Sequence, residues 1–186
     1  MKLNLGCGRD IKPGFVNLDY MPLPGVDVVA DLERCKDTKL PFENNTFDDI
    51  LASHLVEHIT NILPLMEELH RIAKPDGLLM VKIPYGSTDD AFTDPTHVRQ
   101  YFRGSFGYFS QPFYWRADYG YRGDWKPIRI ELHLFDHFKE MPYDEQMLAV
   151  DTYRNVVREM VVYMQAVKPI REPLANLQIK PEIVFV

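Results

Sequence analysis

The chain has 186 residues, 46% of them hydrophobic and 26% charged, which suits one domain of ordinary size with a sizeable core. Its formal net charge of -6 argues against broad non-specific binding to nucleic acid, which needs a basic face, while leaving room for a local basic patch. Two cysteines, Cys7 and Cys35, stand in no C-x-x-C spacing, which excludes a disulfide framework or cysteine zinc site and points to a reducing cytoplasm.

The first strand is predicted over Met1–Leu5, ending at Gly6, and its position leaves no room for a signal peptide. Further strands are expected at Phe15–Asp19, Asp27–Leu32 and Phe47–Ala52. Ile59–Ala73 reads as a helix with an apolar stripe of Ile62, Leu65, Met66, Leu69 and Ile72. Thr60 or Asn61 is the candidate cap, Pro64 lies in the tolerated first turn, and Pro75-Asp76-Gly77 ends the segment. Leu78–Ile83 has the continuous apolar character of a strand covered on both faces. Pro84–Pro127 shows no convincing period. A strand follows at Ile128–Phe135, then a helix at Tyr143–Val167 and a last strand at Glu182–Val186. The expected fold is α/β, a Rossmann-like doubly wound sheet, mostly parallel with an antiparallel C-terminal edge strand. No apolar run approaches the ~20 residues of a membrane span.

Gly6-Cys7-Gly8 after the first strand lets the backbone turn sharply and approach a ligand. The dinucleotide fingerprint fits poorly: Ile11 occupies its third glycine position, and Asp19 follows Gly8 too soon to be its acidic residue. LNLGCG, VNLD, VADL, FDDILASHLVEH and HRIAKPDGLLMVKIP, in that order, resemble the class I S-adenosylmethionine-dependent methyltransferases, nearest the small type 11-like subgroup. The resemblance covers roughly residues 2–84. It implies that Leu5, Gly6, Cys7 and Gly8 pack under the methionine part of S-adenosylmethionine. It also implies that Asp19, with Tyr20 beside it, holds the ribose, that Asp31 and Leu32 meet the adenine, and that Ser53 and His54 line the methionine end. One departure stands out: Arg9–Gly14 is too short for a crossover helix, so the first helix is expected to be missing or cut to one turn.

Residues 86–127 form the expected insertion within a single domain spanning 1–186. Eleven of the chain's 23 aromatic residues fall between Tyr101 and Trp125, and Arg99–Arg129 carries a local charge of +4. Such a segment reads either as a satellite core or as a substrate lid for an anionic or sugar-bearing acceptor, with Arg99, Tyr101 and Trp115 as contacts. The D-P-x-H-x-R segment at Asp94–Arg99 is similar to one found in many relatives of the subgroup. It makes His97 the candidate general base, oriented by Asp94, with His54 as the second candidate. His58, following Glu57, reads as structural, and no cluster has metal-ligand spacing, so no metal is expected. The expected activity is methyl transfer to oxygen or nitrogen of a small polar acceptor such as a saccharide. The alternatives are a nucleic-acid or nucleotide methyltransferase and a non-catalytic S-adenosylmethionine-binding protein. The edge strand near Val186 offers a surface on which a second chain could pair as a homodimer.

Overall fold

The computed structural model describes residues 1–186. Five parallel strands come first: β1 (Lys2–Leu5), β2 (Val16–Asp19), β3 (Val28–Val29), β4 (Phe47–Ser53) and β5 (Ala73–Pro84). Helix α1 (Ile62–Ile72) links β4 to β5. Then follow α2 (Asp90–Thr93), two 3-10 segments, β6 (Trp125–Leu134), α3 (Asp136–Lys139), α4 (Tyr143–Thr152), β7 (Val157–Ala166) and β8 (Glu182–Phe185). All eight strands make one sheet in the order β3-β2-β1-β4-β5-β7-β6-β8.

The mostly parallel, Rossmann-like sheet agrees with the sequence reading, but the C-terminal third differs. The segment expected as one helix over Tyr143–Val167 is α4 followed by β7. Asn155, at φ +55°, breaks it, and its side-chain oxygen accepts the Asp89 N–H at 2.8 Å. β7 lies between β5 and β6 with hydrogen bonds on both sides, a position that favours its valines over helix. It is antiparallel to both neighbours, whereas the C-terminal edge strand β8 runs parallel to β6. The antiparallel member is therefore an inner strand, not the edge.

The first crossover helix is absent, as its short linker requires. Side-chain amides stand in for it: Asn4 Nδ2 donates to the Asp10 carbonyl at 2.7 Å, and Asn17 Oδ1 accepts the Lys12 N–H at 2.9 Å. The consequence reaches across the sheet. Leu79, Val81 and Ile83 of β5, with Met160, Val162 and Met164 of β7, are wholly buried beneath α1, α4 and the aromatic insertion. On the other face Leu78 is 38% exposed, and Met80, Lys82 and Tyr163 are only half-buried. Helical cover is one-sided. At α1 the start is capped by an unexpected group: Glu33 accepts the N–H groups of Thr60 and Asn61, at 2.6 and 3.1 Å, while Asn61 makes no side-chain cap.

The insertion runs from the C-terminal end of β5 to the N-terminal end of β6, where Trp125 faces Ala166 of β7. Phe106, Phe109, Tyr114, Tyr121 and Trp125 join the main core rather than a separate one. Trp125 Nε1 donates to the Met66 carbonyl of α1 at 3.0 Å, which satisfies the one polar atom of a fully buried indole. No helix is long and apolar enough to cross a membrane.

Candidate active site

Two adjoining clefts open beyond the C-terminal ends of the parallel strands, where ligands of open α/β sheets bind. The first, about 410 Å³, is built by the turn after β1 and the ends of β2, β3 and β4. Gly6 turns the chain at φ +62° and Gly8 at φ +51°, conformations that carry little cost only without a Cβ. Gly8 N–H donates to Asp19 Oδ2 at 2.8 Å, and Met21 N–H to Asp19 Oδ1 at 2.9 Å. Asp19 is thereby fixed at the cleft with 6% of its surface exposed, and each oxygen keeps a further lone pair. Tyr20, Asp31, Leu32 and His54 line the same cleft. Asp31 Oδ1 accepts the Glu33 N–H at 3.0 Å, which steadies the turn that presents Leu32.

Of the remaining residues expected here, Leu5 and Cys7 are buried behind the turn, and burial pushes the Cys7 thiol above its ordinary range. Ser53, at the end of β4, is half-buried and lines neither cleft.

The second cleft, about 630 Å³, is lined by polar and charged side chains together with Pro84 and Pro95, and shares His54 and His58 with the first. His54 sits at φ +50°, a strained conformation for a residue with a Cβ, and aims its ring between two carboxylates. Its Nε2 lies 3.0 Å from Glu159 Oε1 and its Nδ1 3.6 Å from Glu57 Oε1, the latter longer than a hydrogen bond. Glu57 and then Glu159 hold the imidazole above its ordinary pKa, against the opposing effect of burial. Burial pushes Glu159 upward, but Lys82, 2.9 Å away, and His54 outweigh it and hold the carboxyl below its ordinary range.

His97 lines this cleft, as expected of a site residue, but Asp94 does not orient it: their closest approach is 4.0 Å. His97 Nδ1 is 3.1 Å from the Ala91 carbonyl instead. Asp94 accepts the Thr96 hydroxyl at 2.6 Å, and Thr96 Oγ1 lies 2.9 Å from His58 Nδ1. The same Thr96 hydrogen bonds keep Asp94 below the ordinary carboxylate range. The aspartate thus supports His58 rather than His97.

The aromatic contacts fare differently. Tyr101 is 2% exposed, with its hydroxyl donating to the Val56 carbonyl at 3.3 Å, so it packs rather than meets a ligand. Arg99 is exposed and lines neither cleft. Trp115 lies against Arg116 in a separate hollow that shares no residue with the two clefts. Only the opening of the insertion, from Asp90 to His97, reaches the site. The sequence reading missed Glu57, whose carboxylate comes together with His58 and His97 across a long stretch of chain. The Glu57-His58 pair and the histidine of the D-P-T-H segment were the available signals.

Residues 3–81 match the family model described as a methyltransferase domain. Among curated proteins, the human arginine-hydroxylase NDUFAF5, mitochondrial, is 32% identical over 108 residues, covering 47% of this chain and 30% of that protein. The ubiquinone/menaquinone biosynthesis C-methyltransferase UbiE of Coxiella burnetii is 34% identical over 80 residues, covering 42% and 27%. The chain thus spans less than a third of the length of these relatives. In three dimensions it is similar to a SAM-dependent methyltransferase from Archaeoglobus fulgidus, with TM-score 0.61 and 15% identity over 88% of this chain and 85% of that one. It is also similar to a possible histamine N-methyltransferase from Thermotoga maritima, with TM-score 0.57 and 14% identity over 89% and 81%. These likenesses establish the fold.

Proposed function

We infer that this chain, whose residues 3–81 match the methyltransferase-domain family on a class I fold, transfers a methyl group from S-adenosylmethionine to a small polar acceptor. The observation that carries this reading is the carboxylate of Asp19, buried, held by two backbone N–H groups and facing the cleft under the Gly6 turn.

The first cleft fits the cofactor. Asp19 retains lone pairs for two ribose hydroxyls, Asp31 stands where an exocyclic amine is recognised, and Leu32 gives an apolar contact for the adenine. Tyr20, 70% exposed at the rim, covers the sugar edge. Gly6 and His54 border the methionine end. When bound, S-adenosylmethionine supplies an electrophilic methyl on a good leaving group, so the chain's main tasks are to position the acceptor and exclude water.

The polar second cleft is the acceptor side. Its lining of histidines, carboxylates and Arg158 suits an acceptor rich in hydroxyls, of which a saccharide is one class, and the methylated atom is an oxygen or a nitrogen. His54, touching both clefts, is placed to receive a proton that the acceptor releases; His97 lines the acceptor side alone.

Calorimetry with S-adenosylmethionine, its demethylated product and NAD tests the reading, together with methyl-label transfer in a cell extract. The two sulfur compounds are expected to bind, and Asp19→Ala to weaken them at least tenfold. Binding of NAD alone, or an Asp19→Ala variant with unchanged affinity, overturns it. Cofactor binding without any labelled product would identify a non-catalytic binding protein instead.

A further inference from the structure

Three side chains meet on the wall between the two clefts. Glu57, His58 and His97 each bring one potential ligand atom into a group whose members lie within 4.8 Å of one another. Glu57 is 3% exposed, and neither of its carboxylate oxygens has a hydrogen-bond partner. A carboxylate taken out of water without a partner is costly, and proteins answer that cost with a cation or with hydrogen bonds. No lysine or arginine pairs with Glu57. The nearest basic group is the His54 ring, 3.6 Å away and already engaged through its other nitrogen by Glu159 at 3.0 Å.

Both neighbouring imidazoles are held in the tautomer of a ligand. The Ala91 carbonyl, 3.1 Å from His97 Nδ1, can only accept, so in the neutral ring that nitrogen carries the proton and Nε2 keeps its lone pair. The Thr96 hydroxyl spends its own proton on Asp94 at 2.6 Å, so it accepts from His58 Nδ1 at 2.9 Å, which in the neutral ring again leaves Nε2 as the free acceptor. A histidine with one ring N–H pinned by a carbonyl or by a carboxylate relay is the arrangement that orients metal ligands.

We propose that Glu57, His58 and His97 bind a divalent transition metal of the zinc class through one carboxylate oxygen and two imidazole nitrogens. Three protein ligands leave a coordination position open, as catalytic rather than structural sites do. His58 lines both clefts and His97 the acceptor cleft, which puts that open position beside the acceptor. There the metal would take an acceptor hydroxyl oxygen as ligand and ease the break of its O–H bond, the proton passing to His54, which lines both clefts. This last role rests on the methyl-transfer reading; the binding of metal does not.

The test is titration of the full chain, stripped with chelator, with Zn²⁺ by calorimetry, with elemental analysis for stoichiometry. One equivalent is expected. His97→Ala and Glu57→Gln are each expected to lose more than the ~10–100-fold that removal of an outer partner costs. S-adenosylmethionine affinity of His97→Ala is expected to stay within about twofold of the parent, because His97 does not line the cofactor cleft. Thermal unfolding separates ligation from mere structure. Without metal, Glu57→Gln is expected to melt higher than the parent, since it removes a buried charge; with Zn²⁺, only the parent rises. A parent chain that binds no more Zn²⁺ than the Glu57→Gln/His97→Ala double variant overturns the site. Zinc binding without S-adenosylmethionine binding defeats the methyl-transfer reading alone; the reverse defeats the metal site alone.

Discussion

His70 ties α1 to the far end of the sheet: it is 6% exposed, edge-on to Trp125 with ring centres 5.7 Å apart, and its Nε2 lies 3.1 Å from the Val167 carbonyl. Burial lowers its pKa, and Lys168 adds to the effect while the Val167 carbonyl and Asp124 oppose it. The unfolded imidazole, near 6.5, then binds a proton that the folded one refuses. Stability from this group is fully present above about pH 6.5 and is lost as pH falls through the lower folded value. Urea denaturation between pH 8 and 5 should show this acid loss, and His70→Asn should flatten it; an equally steep profile in the variant would assign the loss elsewhere. At this scale legibility was uneven. The places of Asp19 and Asp31 at the first cleft were readable because Asp19 closes β2 and Asp31 opens the turn just after β3, so local spacing carries the information. Glu57 was not readable, because its meaning depends on His97 arriving from another segment. Tyr101 was misread for the opposite reason: the tyrosine ring is amphipathic, and only packing shows that its hydroxyl is spent on Val56.

Among elements, β7 shows most plainly how tertiary context overrides a local pattern. Met147, Val150, Val157, Val161 and Met164 look like a helical stripe when read through the break at Asn155. Burial over Val162–Ala166 instead follows the sheet: Val162, Met164 and Ala166 are wholly buried on one side and Tyr163 and Gln165 half-buried on the other, while Met160 and Val161 are both buried before it. Two ladders, to β5 and β6, settle the matter. Met160→Ala in this strand should cost about 2–5 kcal/mol, as deletions in closed cores do. Chemical denaturation measures it, and a cost below 1 kcal/mol would mean that β7 is not a core strand. The parallel half of the sheet was legible because its strands are separated by glycine, proline and asparagine turns. The insertion was half legible: its aromatic density announced a core, but not that this core is the main one.

At the scale of the whole molecule, the absent crossover helix leaves a sheet with one dry face and one wet face. Leu78 and Leu79 are adjacent in sequence, yet one is 38% exposed and the other wholly buried. Leu78→Lys should change stability by no more than about 0.5 kcal/mol, whereas Leu79→Ala should cost about 2–5 kcal/mol. Comparable costs for the two would show that something covers the outer face. The strand order has a different consequence, which concerns the making of the chain. β7 joins β5 to β6, so β6 has no place in the sheet until residues 157–166 exist. A polypeptide emerging N-terminus first exposes the outer edge of β5 and the unseated β6 throughout that interval. The strand hardest to recognise from sequence is thus the one whose late synthesis ends the nascent chain's exposure to mispairing.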